Sequence, residues 1–332
     1  MFKPLIDHIK DAQHIVVVQA ENPDGDSLGS SLALEELLSD AGKTVTMYCA
    51  IDIPKYMQYI QGWDRVEKDW PKKADMAIIV DTSSKTLLVK ALATPGVQHF
   101  FESHPTVILD HHQDEEGDLP FDTIKAIDSK AVATGELIYN LAQEAGWSIN
   151  PQAAESMFIA IQSDSLGLTT QNTSADSYKV AAELVALGAV PSVIEARRRE
   201  YMKKPADILA YKGRLIERVE YHLDGKLATV HIPWNEIEEF SDRYNPSVLV
   251  LDEMRLVDTV LIAVAIKTYP DGKLTGKIRA NLPIGNTVAG FFGGGGHQYA
   301  SGFKIHENYD TLISELVNAT DKAITDYESE IS

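Results

Sequence analysis

The stretch IVVVQAENPDGDSLGS, residues 15–30, decides the fold of the first half of the chain. Ile15 to Val18 form a continuous apolar run rather than an alternating one, which predicts a strand buried on both faces, as in a parallel sheet. A turn follows that carries Asp24 and Asp26 one residue apart. Leu28, Leu32 and the Leu37/Leu38 pair then recur on one side of a helix expected over 27–41, with Gly42 as its stop. Asp26 or Ser27 would serve as the cap of that helix, so the turn has a purely structural role open to it beside a metal-ligating one.

Outward from this stretch, HIVVV, TVTMY, MAIIV and TVILD alternate with helical patterns. Further helices are expected over 132–145, 153–161 and 175–187. The expectation is a doubly wound α/β domain over 1–190, with a parallel sheet and helices on both faces. The charged helical stretch around Pro205 predicts a linker over 191–215. From 216 to 332 strands come in runs: KLATVHIP, a hairpin IAVAIKTY to KLTGKIRA through Asp271-Gly272, and SGFKI, closed by the amphipathic helix DTLISELVNATDKAITDY. A smaller α+β domain with a mixed sheet is expected there.

A length of 332 residues, 44% of them hydrophobic, suits two globular domains. A formal charge of −19 argues against a broad basic face that coats nucleic acid, while a small anionic substrate can still be held locally. The single cysteine, Cys49, excludes an intramolecular disulfide and a thiolate cluster. The first residues lack the apolar core of a signal peptide, and no apolar run is long enough for a membrane span. A cytoplasmic protein is expected, with no membrane association and no obligate protein partner evident; a homodimer stays open.

Ligands of open α/β sheets bind outside the carboxyl ends of the strands. Asp24 and Asp26 follow the first strand, Asp81 ends MAIIVD, Asp110 ends TVILD with His111 and His112 next, and Asp164 ends MFIAIQSD. Taken singly each aspartate also suits a turn or cap. Carboxylates with imidazole and no thiolate are the ligand set of Mn2+ or Mg2+, with Mn2+ favoured where nitrogen enters. Two such ions about 3.5–4 Å apart, sharing a carboxylate for which Asp81 is the choice, suit in-line displacement at phosphorus by an activated water. In GGGGHQYASG, residues 293–302, glycine backbone N–H groups and His297 suit an anion, and Arg279 is a second clamp. The run Arg197 to Arg199 with Lys203 and Lys204 is read as a solvated helix face in preference to a phosphate-tracking groove.

The ordered set NPDGD, IVDTS, LDHH, IQSD and GGGGHQYASG resembles the DHH phosphoesterase superfamily, and within it the subfamily with a C-terminal DHHA1 domain, the NrnA-like oligoribonucleases and 3'-phosphoadenosine-5'-phosphate (pAp) phosphatases. The resemblance covers nearly the whole chain. It implies two Mn2+ ions, the first held by Asp24 and Asp81, the second by Asp26, Asp81, His111 and Asp164. It gives His112 a contact to the scissile phosphate and Asp110 an orienting role, and it places nucleotide contacts on Arg279, Gly294, Gly295, Gly296, His297 and Ser301. Short oligonucleotides or small phosphorylated nucleotides are the implied substrates.

The family's first motif carries a metal-binding histidine where this chain has Ala20, which weakens the first ion's site; Glu21 and Gln19 are nearby, but at an extended strand end their side chains should point away from Ala20's direction. After Asp164 the family's aromatic is replaced within Ser165-Leu166-Gly167-Leu168, and Ala280 stands where serine is usual. Hydrolysis of cyclic or linear dinucleotides is an alternative activity, and a weakly active nucleotide-binding or RNA-end-binding protein is the non-enzymatic one.

Overall fold

The computed structural model describes residues 1–112, 118–241 and 243–330, less the side chain of His297. They divide into two compact units, Met1–Lys203 and Lys204–Ser332.

The first unit runs α1 (Lys3–Asp11), β1 (His14–Val18), α2 (Gly25–Asp40), β2 (Thr44–Tyr48), β3 (Met76–Val80), α3 (Val89–Ala93), α4 (Val97–Ser103), β4 (Thr106–Asp110), β5 (Ile124–Ile127), α5 (Thr134–Ala145), α6 (Pro151–Asp164), α7 (Ala175–Ala186) and α8 (Pro191–Tyr201). Its five strands pair in the order β2-β1-β3-β4-β5, all parallel. Alternate residues of β1 feed two cores: Ile15 and Val17 pack with Leu28, Leu32, Leu137 and Met157, while Val16 and Val18 pack with Leu88, Val97 and Phe101. Helices therefore cover both faces, which is why the strands are apolar without alternation. The chain leaves β1 toward β2 and leaves β3 toward β4, so the winding reverses between β1 and β3. A doubly wound sheet opens its ligand crevice at that reversal, at the carboxyl ends of the strands.

Helix α2 begins at Gly25, not near Leu28, and its cap is neither Asp26 nor Ser27 but Asp24. Asp24 Oδ1 accepts from the N–H of Asp26 and of Ser27, both at 3.0 Å, and Ser27 Oγ returns to the Asp24 N–H at 2.9 Å. This capping box starts the helix early, and it places Asp26 within the first turn, where its side chain turns inward. Two helix crossings hold that turn. A Cβ on Gly29 would lie 2.6 Å from the Ser156 carbonyl oxygen of α6, and one on Gly135 would lie 2.5 Å from the Ala160 Cβ. Gly29→Ala should therefore destabilise the protein by about 2 kcal/mol, because the overpacking against backbone exceeds the helix propensity gained. A lower urea midpoint at unchanged slope is the expected readout.

The second unit runs α9 (Ala206–Glu217), β6 (Glu220–His222), β7 (Leu227–Ile232), α10 (Trp234–Phe240), α11 (Pro246–Arg255), β8 (Ile262–Thr268), β9 (Lys273–Ala280), α12 (Gly285–Phe291), β10 (Gly295–His297), β11 (Ala300–His306) and α13 (Tyr309–Glu330). Its six strands pair in the order β10-β11-β9-β8-β7-β6. Only the β7–β8 pair is parallel, so the sheet is mixed. Ile262, Val264 and Ile266 face Val288, Leu312 and Leu316, and Ala263 and Ala265 face Ile208, Ile237 and Leu249. Of the segment 191–215, α8 puts Ile194 into a core of the first unit and α9 puts Ile208, Tyr211 and Leu215 into a core of the second.

The glycine run is a built edge rather than an open loop. Gly295 pairs with Gly302 and His297 with Ala300 across the two-residue turn Gln298-Tyr299. A Cβ on Gly294 would sit 2.2 Å from the Gly302 carbonyl oxygen, and Gly296 has φ 129°. Both positions need glycine for the backbone approach itself.

Candidate metal centre

Six side chains converge at the carboxyl edge of the parallel sheet. Asp26 is fully buried, and its carboxylate faces the start of α5: Oδ2 accepts from the Thr134 N–H at 2.7 Å, and Oδ1 from the Gly135 N–H and the Ser30 hydroxyl, both at 3.0 Å. Helix α5 has no side-chain cap of its own, so Asp26 caps it from α2. Asp81, 8% exposed, follows β3 in a left-handed conformation with φ 61°. Such a conformation is uncommon for a side-chain-bearing residue and is best tolerated by Asn and Asp, and it lets Oδ1 receive the Thr134 hydroxyl at 3.2 Å.

His111 is buried beside them. Its Nδ1–H donates to the Ala131 carbonyl at 3.3 Å, which fixes the tautomer and leaves Nε2 as a bare lone pair. Nε2 lies 3.3 Å from Asp164 Oδ2, 3.6 Å from Asp26 Oδ2 and 3.7 Å from Asp81 Oδ1. A lone pair among three carboxylate oxygens is repulsive unless a cation or a proton stands between them. Nε2 is one of several buried polar atoms at this edge that meet no hydrogen-bond partner among the described residues; the others are Asp110 Oδ2 and both amide atoms of Gln19. Two donor groups result, Asp26–His111–Asp164 and Asp81–His111–His112, each with its ligand atoms within 4.8 Å of one another. Oxygen and imidazole donors without thiolate fit a hard or borderline divalent ion.

His112 is half-exposed. Its Nδ1 and its N–H both donate to Asp110 Oδ1, at 2.7 and 3.1 Å. The bond to Asp110 raises the imidazole pKa of His112 against the opposing effect of burial. At Asp110 burial opposes ionisation, but the His112 hydrogen bond and charge outweigh it and hold the carboxyl below its usual range. The other aspartates move the opposite way. Burial first, then the charges of Asp26 and Asp24, push Asp81 well up; burial also raises Asp26, and burial followed by Asp26 raises Asp164 to about 6.

Asp24 is exposed and joins neither donor group, with Oδ1 committed to the capping box. Ala20 is buried, and the Glu21 carboxylate is turned to the start of α3, where Oε1 accepts from the N–H of Lys90 and Ala91. Glu21 is thereby spent on a helix terminus.

In the second unit, Ser301 is buried and its hydroxyl donates to the Gly285 carbonyl at 2.6 Å, while the Gly294 N–H donates to Ala289 at 2.9 Å. Gly295 and Gly296 lie in β10, and the side chain of His297 lies outside the described residues. Arg279 pairs with Ala300 on one side and Ala263 on the other, and among the described residues it has no carboxylate partner. Lys277 and Lys267 share its face of the sheet, cross-strand from Gly302 and Thr275. Sequence inspection misses this basic face because its members are adjacent only through strand register. The run at 197–204 is instead neutralised: Arg197 pairs with Glu155, Arg198 and Arg199 with Glu195, and Lys203 with Glu200, while Lys204 lies over the Tyr244 ring.

Among the described residues no helix is long and apolar enough to cross a membrane. Residues 14–161 match the DHH family, N-terminal domain. The chain is 25% identical over 324 residues to the probable bifunctional oligoribonuclease and PAP phosphatase NrnA of Streptococcus mutans, covering 96% of this chain and 98% of that protein. An exopolyphosphatase-related protein from Bacteroides fragilis superposes with a TM-score of 0.83 at 21% identity, over 98% of this chain and 97% of that one. RecJ from Thermus thermophilus, solved in complex with Mn2+, superposes with a TM-score of 0.53 at 12% identity, over 97% of this chain and 54% of its own. The two superpositions establish the fold alone. The match over residues 14–161, with the paired histidines that follow β4, makes that stretch a domain of the DHH family, and over nearly its whole length the chain is similar to NrnA.

Proposed function

We propose that the protein is a metal-dependent phosphodiesterase that trims very short oligonucleotides to mononucleotides and removes the 3'-phosphate of pAp at the same centre. The observation that carries this reading is His111 Nε2, oriented by Ala131 and held 3.3 to 3.7 Å from oxygens of Asp164, Asp26 and Asp81. The named activity of the Streptococcus mutans relative, similar over nearly all of both chains, supports the substrate class. The Mn2+ carried by RecJ supports the choice of ion.

Asp26, Asp81, His111 and Asp164 would hold one divalent ion, and Asp24 with Asp81 a second whose site Ala20 leaves short of a ligand. When bound, such ions supply Lewis acidity that activates water and neutralises charge on the phosphoryl oxygens. The chain's own groups do the rest. His112, its pKa raised by Asp110, carries a proton toward the scissile phosphate and donates a charged hydrogen bond to it. Asp110 fixes the ring that makes this contact. In the second unit Arg279, a cation without a carboxylate partner among the described residues, suits an anionic group.

Release of mononucleotide from an RNA dinucleotide, measured with Mn2+ and with chelator, tests the proposal. Turnover that needs the ion is expected. Tight dinucleotide binding without any metal-dependent turnover would overturn it and leave a nucleotide-binding protein.

A further inference from the structure

The first unit holds a cavity of about 540 Å³ against the turns that carry Asp24, Asp26 and Asp164. Gly25, between Asp24 and Asp26, and Ser163, next to Asp164, both line it, so its wall is continuous with the turns that carry those aspartates. Tyr56, Tyr59 and Leu166 line it too, with Tyr56 56% and Leu166 74% exposed. Both are large apolar side chains presented at the cavity wall rather than packed into the core.

Leu166 is also held there by force. Leu166, Gly167 and Leu168 have φ 50°, 75° and 64°, three left-handed residues in succession, two of them non-glycine. Fully buried Ser165 pins the turn, its hydroxyl donating to the Ile161 carbonyl at 2.5 Å and accepting from the Leu168 N–H at 2.7 Å. The cation on the cavity wall, Arg198, is already neutralised by Glu195 through contacts of 2.7 and 3.1 Å. The cavity thus does not suit a phosphate. It suits a flat, uncharged ring attached to a phosphate that lies in the neighbouring cluster, and its volume is in the range of small-molecule sites.

We propose that this cavity is a nucleobase site, which takes the base of the nucleotide whose phosphate the cluster holds, with Tyr56 as the stacking face. The assignment rests on the phosphodiesterase reading above. Recognition by stacking is tolerant of base identity and favours the larger purine face.

The test uses the full chain with Mn2+, an RNA dinucleotide, and dinucleotides from which one base or the other has been removed. Tyr56→Ala should raise KM for the intact dinucleotide roughly ten-fold or more with little change in kcat, and Tyr56→Phe should restore it. On one of the two abasic substrates, wild type and Tyr56→Ala should behave alike. An unchanged KM on the intact dinucleotide, or an equal rise on all three substrates, overturns the assignment. If wild type hydrolyses none of them, the phosphodiesterase reading has failed on its own, and binding decides the cavity. Quenching of 2-aminopurine riboside monophosphate that is lost in Tyr56→Ala and kept in Tyr56→Phe supports a base site. Absence of quenching by wild type overturns it.

Discussion

Asp81→Asn is expected to remove metal-dependent hydrolysis and, in chelator, to leave a protein that melts at a higher temperature than wild type. The two effects have one origin. Asp81 Oδ1 stands 3.7 Å from both His111 Nε2 and His112 Nδ1, where an anionic ligand is needed and an amide is a poor replacement. Loss of an outer partner of a metal ligand costs about 10- to 100-fold, so loss of a shared ligand should exceed a hundred-fold in kcat/KM. Without metal, burial first and then the charges of Asp26, Asp24, Asp110 and Asp164 push the pKa of that same carboxylate well up. Neutral asparagine relieves the crowding. The substitution should not disturb the backbone, since Asn is among the residues most tolerant of the left-handed φ of 61° found there. Asn Oδ1 can also keep the Thr134 hydroxyl bond. Calorimetry in chelator and a Mn2+ titration of the melting temperature read both effects. A lower apo melting temperature, or a retained Mn2+ shift, would contradict the prediction.

Acidification should act with opposite sign on the metal-free and metal-loaded protein. Asp164 titrates near 6 in the folded chain against 3.8 as a free side chain. Between those values the folded state binds more protons than the unfolded state, so the metal-free protein gains stability as pH falls through 6. His112 works in the same direction, since its raised pKa also makes the folded state take up a proton first. A bound cation needs the carboxylates ionised, and protons compete with it. At a hundred-fold excess over Kd the ion adds about 2.7 kcal/mol, and that increment should shrink over the same interval. Thermal melts at about pH 7.5, 6 and 5, with and without Mn2+, should converge on the acid side. Asp164→Asn should flatten the metal-free slope; an unaltered slope would show that Asp164 is not the group responsible.

The parallel strands are legible in sequence because burial on both faces leaves unbroken runs such as HIVVV and MAIIV. Strand β5 is not, since IKAI is short, sits at the edge and exposes Lys125. The aspartates of the cluster stand out by position at strand and helix ends. Their individual environments do not, because the sequence has no sign that Asp26 would cap a helix that begins 108 residues later, at Thr134. For Glu21 the strand-end alternation shows that its side chain leaves Ala20's direction, but not that α3 claims its carboxylate. The basic face of Lys267, Lys277 and Arg279 and the strained Leu166 are likewise products of register and backbone conformation, which residue order alone does not encode.

The double duty of Asp26 carries an evolutionary consequence. Both of its oxygens serve the first turn of α5, so a lineage that abandoned catalysis would still be selected to keep it. Among the described residues Asp164 accepts no such backbone bond, and Asp81 accepts only from the Thr134 hydroxyl. In a decaying branch the order of loss should run through Asp164 and Asp81 before Asp26. Persistence of the first-turn aspartate is then a record of folding, and persistence of the other two a record of chemistry.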